Sequence, residues 1–190
     1  MSGVTLMVAE FAGKRLELLN EIVPQLHRVA VVANPEHQGE HLERAASEAA
    51  ARKLGVAIHY FPTRTPDQLA GAFKAMAAQP PQAISVFADG FAIQNLQRII
   101  ELSNALRAPV ISGWEVFARN GAVCIYGPRL GESYKRLAHY ADRVLKGAKP
   151  SDLPIEQPTH FELIVNLRAA KTLGLNIPES LVVRADEVIE

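Results

Sequence analysis

Four loops of this sequence place polar, aromatic or glycine residues directly after a short apolar run. At such places an amide offers both a donor and an acceptor, a carboxylate can pair with an ammonium group, and an indole or phenol ring can pack against a flat molecule. This chemistry is typical of non-covalent recognition of a small molecule. The candidate ligand-binding residues are Asn34, Asp89, Gly90, Ser112, Trp114, Glu115, Tyr126 and Gly127.

Each candidate also has an interpretation that needs no ligand. Asn34 precedes a proline and can satisfy its own turn, while Asp89 can cap the helix that follows it. Trp114 can fill the core, and residues 126–128 (YGP) can simply form a turn. The residue types leave both interpretations open.

The sequence lacks the motifs that would indicate nucleotide binding or catalysis. The glycines form neither GxGxxG after the first strand nor GxxxxGK[ST], and no GxSxG is present. His37 and His41 are four residues apart, but no HExxH surrounds them. We therefore expect no metal, no cofactor and no enzymatic activity.

Composition excludes two further classes. With 20 basic and 20 acidic residues in 190, the chain has no net charge and no dense basic run, so nucleic-acid binding is not expected. No apolar stretch approaches the ~20 residues that a membrane-spanning helix requires. The single cysteine, Cys124, lies in an apolar run and is predicted to be a core residue.

Apolar runs alternate with helical patterns along the chain, which predicts a Rossmann-like, doubly wound α/β domain with a parallel sheet. Because ligands bind at the carboxyl ends of the strands in such sheets, the candidate residues are expected on one edge, forming a concave surface. Strands are predicted at residues 28–34, 56–61, 83–88, 109–112 and 122–126, and helices at residues 38–54, 91–106, 114–119 and 132–146, with a further helix opening at Thr65 and Pro66.

The C-terminal third carries several short motifs in a characteristic order. They are residues 121–128 (GAVCIYGP), 145–154 (LKGAKPSDLP), 155–166 (IEQPTHFELIVN), 171–181 (KTLGLNIPESL) and 185–189 (ADEVI). With them the chain resembles solute-binding proteins of ABC transporters, in the group of type I periplasmic binding folds that includes aromatic amino-acid binders. The resemblance runs from about Val4 to the last residue, and Trp114 departs from the family's usual pattern.

A type I binding protein closes two lobes on its ligand, which takes clearly more chain than 190 residues. The resemblance therefore implies that this chain is the second half of such a protein. Residues 1–8 would be a remnant of the crossing between lobes and residues 9–121 the Rossmann-like ligand-binding lobe. Residues 122–158 would be a strand and helix packed on the missing lobe, and residues 159–190 a C-terminal strand and helical tail.

The resemblance also implies a partner and a location. An importer's substrate-binding component works with an ABC permease, and family members are periplasmic or attached to the cell envelope. The first residues do not resemble a secretory signal, so a cytoplasmic location is expected if this start is native. The alternative function is a stand-alone α/β sensor or regulatory domain, or less readily a small enzyme.

A homodimer is expected as well. Residues 132–146 carry an apolar stripe at helical spacing, formed by Tyr134, Leu137, Ala138, Ala141, Val144 and Leu145. The stripe must either fold back onto its own domain or be covered by a second chain. We favour the second chain, since residues 161–165 must also find a sheet edge and a partner offers one.

Overall fold

The computed structural model describes residues 3–5, 11–158 and 160–190. Its strands are β1 (Gly3–Val4), β2 (Arg28–Ala33), β3 (Ala57–Pro62), β4 (Ala83–Val86), β5 (Val110–Ser112), β6 (Cys124–Pro128), β7 (Ile155–Glu156), β8 (Phe161–Asn166) and β9 (Glu187–Ile189). Its α-helices are α1 (Ala12–Ile22), α2 (Glu40–Leu54), α3 (Pro66–Ala78), α4 (Gly90–Gln94), α5 (Leu96–Ala105), α6 (Glu115–Arg119), α7 (Leu130–Leu145), α8 (Leu167–Leu173) and α9 (Glu179–Arg184).

A seven-stranded sheet organises most of the chain, in the order β3-β2-β4-β5-β6-β8-β9. Neighbouring strands are parallel except for β6 and β8, which are antiparallel. The predicted doubly wound α/β fold is therefore confirmed, with β8 and β9 running opposite to the other five strands. The strand order reverses between β2 and β4, and such a switch point opens a crevice at the carboxyl ends of the two strands.

Helices cover both faces of this sheet. On one face α3, α5 and α6 bury residues such as Phe73, Ile99 and Phe117 against the strands. On the other face α1, α2, α8 and α9 pack over the sheet with Leu19 and Leu181 among the buried residues. Successive strand residues alternate between the two cores, which explains why the strands read as continuous apolar runs rather than alternating ones.

Local sequence signals account for several helix boundaries. Thr65 caps α3 by accepting a hydrogen bond from the Gln68 backbone amide at 3.2 Å, as predicted. Gly55 ends α2 in the left-handed region, at φ 69°. The single helix predicted at residues 91–106 is wrong, because the backbone leaves helical geometry at Asn95 (φ −107°, ψ 14°), which separates α4 from α5. The Asn95 side chain donates to the Phe91 carbonyl there at 2.9 Å.

Two expectations about the C-terminal third are wrong. The strand within residues 122–126 does not leave for a missing lobe, because β6 is an interior strand of this sheet, between β5 and β8. The strand within residues 161–165 needs no partner chain, because β8 pairs with β6 of its own chain and with β9. Cys124 lies in β6 and is fully buried, as expected of a core residue.

A smaller unit stands apart from this sheet. Strands β1 and β7 form a two-stranded parallel sheet, and α7 packs against β1. Tyr140 anchors the helix there, donating its hydroxyl to the Pro154 carbonyl and the Glu156 carboxylate, both at 3.0 Å. Of the expected remnant at residues 1–8, residues 1–2 and 6–8 lie outside the described part of the chain.

The apolar stripe predicted on this helix is present and exposed. Tyr134 is 66% exposed and Leu145 is 87% exposed, and Leu137 and Val144 are exposed as well. The stripe therefore does not fold back onto the sheet. We call its six residues the α7 face: Tyr134, Leu137, Ala138, Ala141, Val144 and Leu145. Among the described residues, no helix combines the length and apolarity that a bilayer crossing requires.

Candidate functional site at the carboxyl edge of the sheet

The predicted site residues lie on one edge of the main sheet. Val32 of β2 pairs with Val86 of β4, Val86 pairs with Ser112 of β5, and Ser112 pairs with Ile125 of β6. The residues that follow these positions in four parallel strands must therefore emerge side by side. The predicted common edge is confirmed, and a role of these residues in ligand binding stays a prediction.

Two polar candidates flank the switch point, and both accept hydrogen bonds from backbone amides. The Asn34 side chain accepts a hydrogen bond from the Glu36 amide at 3.0 Å, which is the turn interpretation. The Asp89 carboxylate accepts one from the Ala92 amide at 2.6 Å and caps α4, of which Gly90 is the first residue. Asp89 is nonetheless buried, so its negative charge acts in a poorly solvated setting.

Ser112 and Trp114 are buried against the core formed by α3, α5 and α6. Trp114 is 7% exposed and packs among the apolar residues of that face, as the core interpretation expects. The Ser112 Oγ and the Trp114 Nε1 have no hydrogen-bond partner among the described residues. Two unsatisfied polar atoms two residues apart are a cost that a bound polar group would offset.

Glycines form the floor between the ends of β5 and β6. A Cβ on Gly127 would lie 2.1 Å from the carbonyl oxygen of Gly113, so the two backbones touch. A Cβ on Gly113 would lie 2.4 Å from Nη1 of Arg15. Only residues without side chains fit this packing, which gives Gly127 a structural reason for its identity.

A buried ion pair lies directly under that floor. The Arg15 Nη2 and Glu43 Oε2 atoms are 2.5 Å apart, and both side chains are fully buried. Burial raises the pKa of the Glu43 carboxyl to about 7, although the Arg15 guanidinium and an Ala88 backbone hydrogen bond oppose that rise. Burial likewise lowers the pKa of Arg15. Desolvation thus outweighs the attraction between the partners.

A second group of charges surrounds Glu115 on the other face. Glu162 of β8 lies opposite Gly127 and is 8% exposed. Burial, and then the neighbouring Glu115, raise the pKa of the Glu162 carboxyl, whereas Arg129 at 3.3 Å opposes this. Glu115 in turn lies 3.6 Å from the Arg119 guanidinium, so each of the two adjacent carboxyl groups has an arginine partner.

Three aromatic rings meet next to Gly127. The rings of Phe11 and Tyr126 are edge to face with centroids 5.6 Å apart, and Phe11 and Phe161 have centroids 4.2 Å apart. All three residues are only partly buried. Partly exposed rings at this edge suit a ligand with an apolar or aromatic body.

Sequence reasoning missed Arg15, Glu43, Phe11, Phe161 and Glu162. Arg15 carried a usable signal, because it shares the helical face of Leu18, Leu19 and Ile22, where an arginine is out of place. The other residues required the register of β8 and the approach of α1 to α2. Neither is readable from local spacing.

The opposite edge of the main sheet also carries polar residues. A groove of about 420 Å³ lies at the opposite edge, lined by Arg119, Asn120, Asn166 and Arg168 among others. Its Asn120 and Asn166 side chains already bond within the fold. Within the described ranges, no group of three or more His, Cys, Asp and Glu residues is arranged to hold a metal ion.

Solved structures share this fold. A conserved domain protein from Vibrio cholerae aligns with a TM-score of 0.89 at 22% identity, over 98% of this chain and 62% of its own. An ABC domain from Streptococcus pneumoniae in complex with L-Trp aligns at 0.86 and 21% identity, over 94% and 60%. A ligand-free, open substrate-binding protein from Clostridium difficile, CD0873, aligns at 0.70 and 20% identity, over 99% and 62%.

This chain thus spans about three fifths of the length of these structural relatives. None of the curated proteins matches it in sequence. The model of one family, described as ABC transporter substrate binding protein, matches residues 2–189. Since that match covers nearly every residue, the chain belongs to the family of ABC transporter substrate-binding proteins.

Proposed function

We propose that this chain is the second lobe of the solute-binding component of an ABC importer. The observation that supports this most directly is the convergence of aromatic rings, carboxyl groups and close-packed glycines at the carboxyl edge of the sheet. A ligand held between this edge and another lobe would favour the closed state, because only closure lets it contact both.

The ligand we propose is an aromatic or apolar amino acid or a related acid. Phe11, Tyr126 and Phe161 offer partly exposed ring surface for its body. Asp89 and the Glu115–Glu162 pair offer negative charge for an ammonium group. The Streptococcus pneumoniae relative is in complex with L-Trp, which makes that amino acid the first probe.

The role we propose is binding and not catalysis. The polar groups at the edge are held in caps, turns and ion pairs, with no nucleophile and base set among those described. The protein would act outside the cytoplasm and deliver its ligand to an ABC permease, as the family's role in transport implies.

Isothermal titration calorimetry of the purified chain tests this proposal. The probes are L-Trp, L-Phe and L-Leu, with indole-3-acetate lacking the ammonium group and tryptamine lacking the carboxylate. We expect measurable binding weaker than about 1 μM, because a single lobe supplies only part of the contacts and no closure. Submicromolar binding by the monomer would contradict the half-site argument, and no binding of any probe would contradict the ligand class.

We also propose that the α7 face is covered by a second copy of the chain. The support is the exposure of all six residues on one side of a helix that the main sheet does not cover. Contiguous exposed apolar patches larger than a few hundred Å² are rare on monomers. Light scattering at micromolar concentration tests it, and a clean monomer would refute it.

A further inference from the structure

The Arg15–Glu43 ion pair lies between helices α1 and α2, next to the loop that follows β5. Arg15 is in the first turn of α1, and Glu43 is in the first turn of α2. Both helices begin at the carboxyl edge, since each leads back to the opposite edge of the sheet. A fully buried charge pair is costly to desolvate and is weak evidence for stability, so its position calls for another explanation.

Both members of the pair touch the backbone of the site. The Glu43 carboxyl lies close enough to the backbone of Ala88, the residue before Asp89, for that backbone to lower its pKa. The Arg15 guanidinium packs so closely on Gly113 that a Cβ there would lie 2.4 Å from Nη1. Gly113 in turn packs on Gly127. The pair thus connects the ends of β4 and β5 directly, and that of β6 through Gly113.

We propose that Arg15 and Glu43 are positioning residues that fix the floor of the ligand site, and so the loops carrying Asp89 and Trp114. This inference rests on the proposed function for its meaning, since the floor matters only if a ligand meets it. The guanidinium fork suits the task because its flat shape spans Gly113 and the carboxylate at once, which a lysine ammonium does not. Loops that are already fixed before binding lose less conformational entropy when a ligand binds, which favours affinity.

The only tryptophan of the chain reports on this floor without any ligand. Trp114 follows Gly113 directly and is buried on the opposite face from Arg15. We expect Arg15→Met to leave far-UV circular dichroism unchanged while acrylamide quenching of Trp114 rises severalfold. Arg15→Lys should give an intermediate value, because it keeps the charge and loses the fork.

Ile22→Ala is the matched control. Ile22 lies on the same helix and is 1% exposed, but it sits in the last turn, away from Gly113. This variant should lower stability without raising the quenching of Trp114. Equal quenching in Arg15→Met and Ile22→Ala, compared at equal stability, would overturn the proposal, because the effect would then be general loosening.

A double-mutant cycle supplies a second test, which measures whether Arg15 and Gly113 act on Trp114 through each other. Gly113→Ala should raise the quenching of Trp114 in the wild-type background, because its Cβ would lie 2.4 Å from Nη1 of the buried, paired Arg15 and one of the two must shift. In the Arg15→Met background the same change should have little further effect. Additive effects of the two changes would contradict direct support of Gly113 by Arg15.

Calorimetric titration of the same variants with L-Trp separates this inference from the proposed function. If the variants change Trp114 quenching and also weaken L-Trp binding in calorimetry, both stand. If quenching changes while no probe binds even the wild type, the positioning of the floor stands and the proposed ligand class fails. If quenching is unchanged, the positioning role is wrong whether or not L-Trp binds.

Discussion

The sheet lobe and the α7 unit place similar residues in opposite surroundings. In the lobe, Phe117 and Leu69 are fully buried, and even the charged Arg15 and Glu43 are excluded from water. On α7, the apolar Leu145 is 87% exposed. The lobe has covering helices on both faces of its sheet, whereas in the described part of the chain most of α7 has the two-stranded sheet of β1 and β7 as its neighbour.

This difference shows what an amphipathic pattern does and does not predict. The stripe on α7 predicts that one face of the helix will be covered, but it does not identify the covering surface. In the lobe the same kind of pattern finds its partner within the chain. Substitutions in the lobe should therefore change the free energy of unfolding, whereas substitutions on the α7 face should change self-association.

The largest effect should come from opening the lobe's core. We expect Phe117→Ala to lower the free energy of unfolding by about 3–5 kcal/mol, because the ring is fully buried and leaves a cavity. Leu145→Ala on α7 should change it by less than about 0.5 kcal/mol. Urea denaturation followed by circular dichroism measures both. Similar losses in the two variants would show that the α7 unit is part of the same cooperative core.

A smaller effect should appear as a pH dependence confined to the lobe. Burial raises the pKa of Glu43 from its ordinary 4.5 to about 7, so between these values the folded state binds more protons than the unfolded state. The contribution of Glu43 to stability is therefore full below pH 4.5 and falls as the pH rises to about 7. The slope reaches at most about 1.4 kcal/mol per pH unit.

Comparing the wild type with Glu43→Gln isolates this contribution, because other titrating groups are common to both. Urea denaturation at a series of pH values should show a wild-type stability that falls relative to the variant between pH 4.5 and 7. An unchanged difference across this window would mean that Arg15 keeps the carboxylate ionised throughout.

The smallest effect on protomer stability should come from the α7 face. Changing Leu137 and Val144 together to serine should leave the free energy of unfolding within about 0.5 kcal/mol per site, since both side chains are exposed. The same variant should convert a dimer to a monomer in light scattering. A dimer that survives both substitutions would place the contact elsewhere on the chain.

Much of the fold was predictable because its signals are local. Short β-branched runs with intervening helical patterns indicate buried parallel strands, and Thr65 and Gly55 mark helix ends by their own backbone chemistry. The common edge of the candidate residues followed from the same topology. The break at Asn95 lies in the backbone angles of a single residue, which helical periodicity does not reveal.

The rest depended on contacts between distant residues. The antiparallel pairing of β6 with β8 joins strands that are separated by residues 129–160, and nothing in the spacing of residues 122–126 signals it. The Arg15–Glu43 pair joins residues 28 positions apart. Such pairs become visible only when two helices are brought together.

The most direct test of the central claim is an NMR titration of the ¹⁵N-labelled chain with L-Trp up to millimolar concentration. Our account predicts that the amide shifts concentrate at the carboxyl edge, at Asn34, Asp89, Gly113 and Gly127, with little change around Asn120 and Arg168 at the opposite edge. Shifts that concentrate in that opposite groove, or no shifts with any amino acid of the panel, would contradict a ligand site at the carboxyl edge.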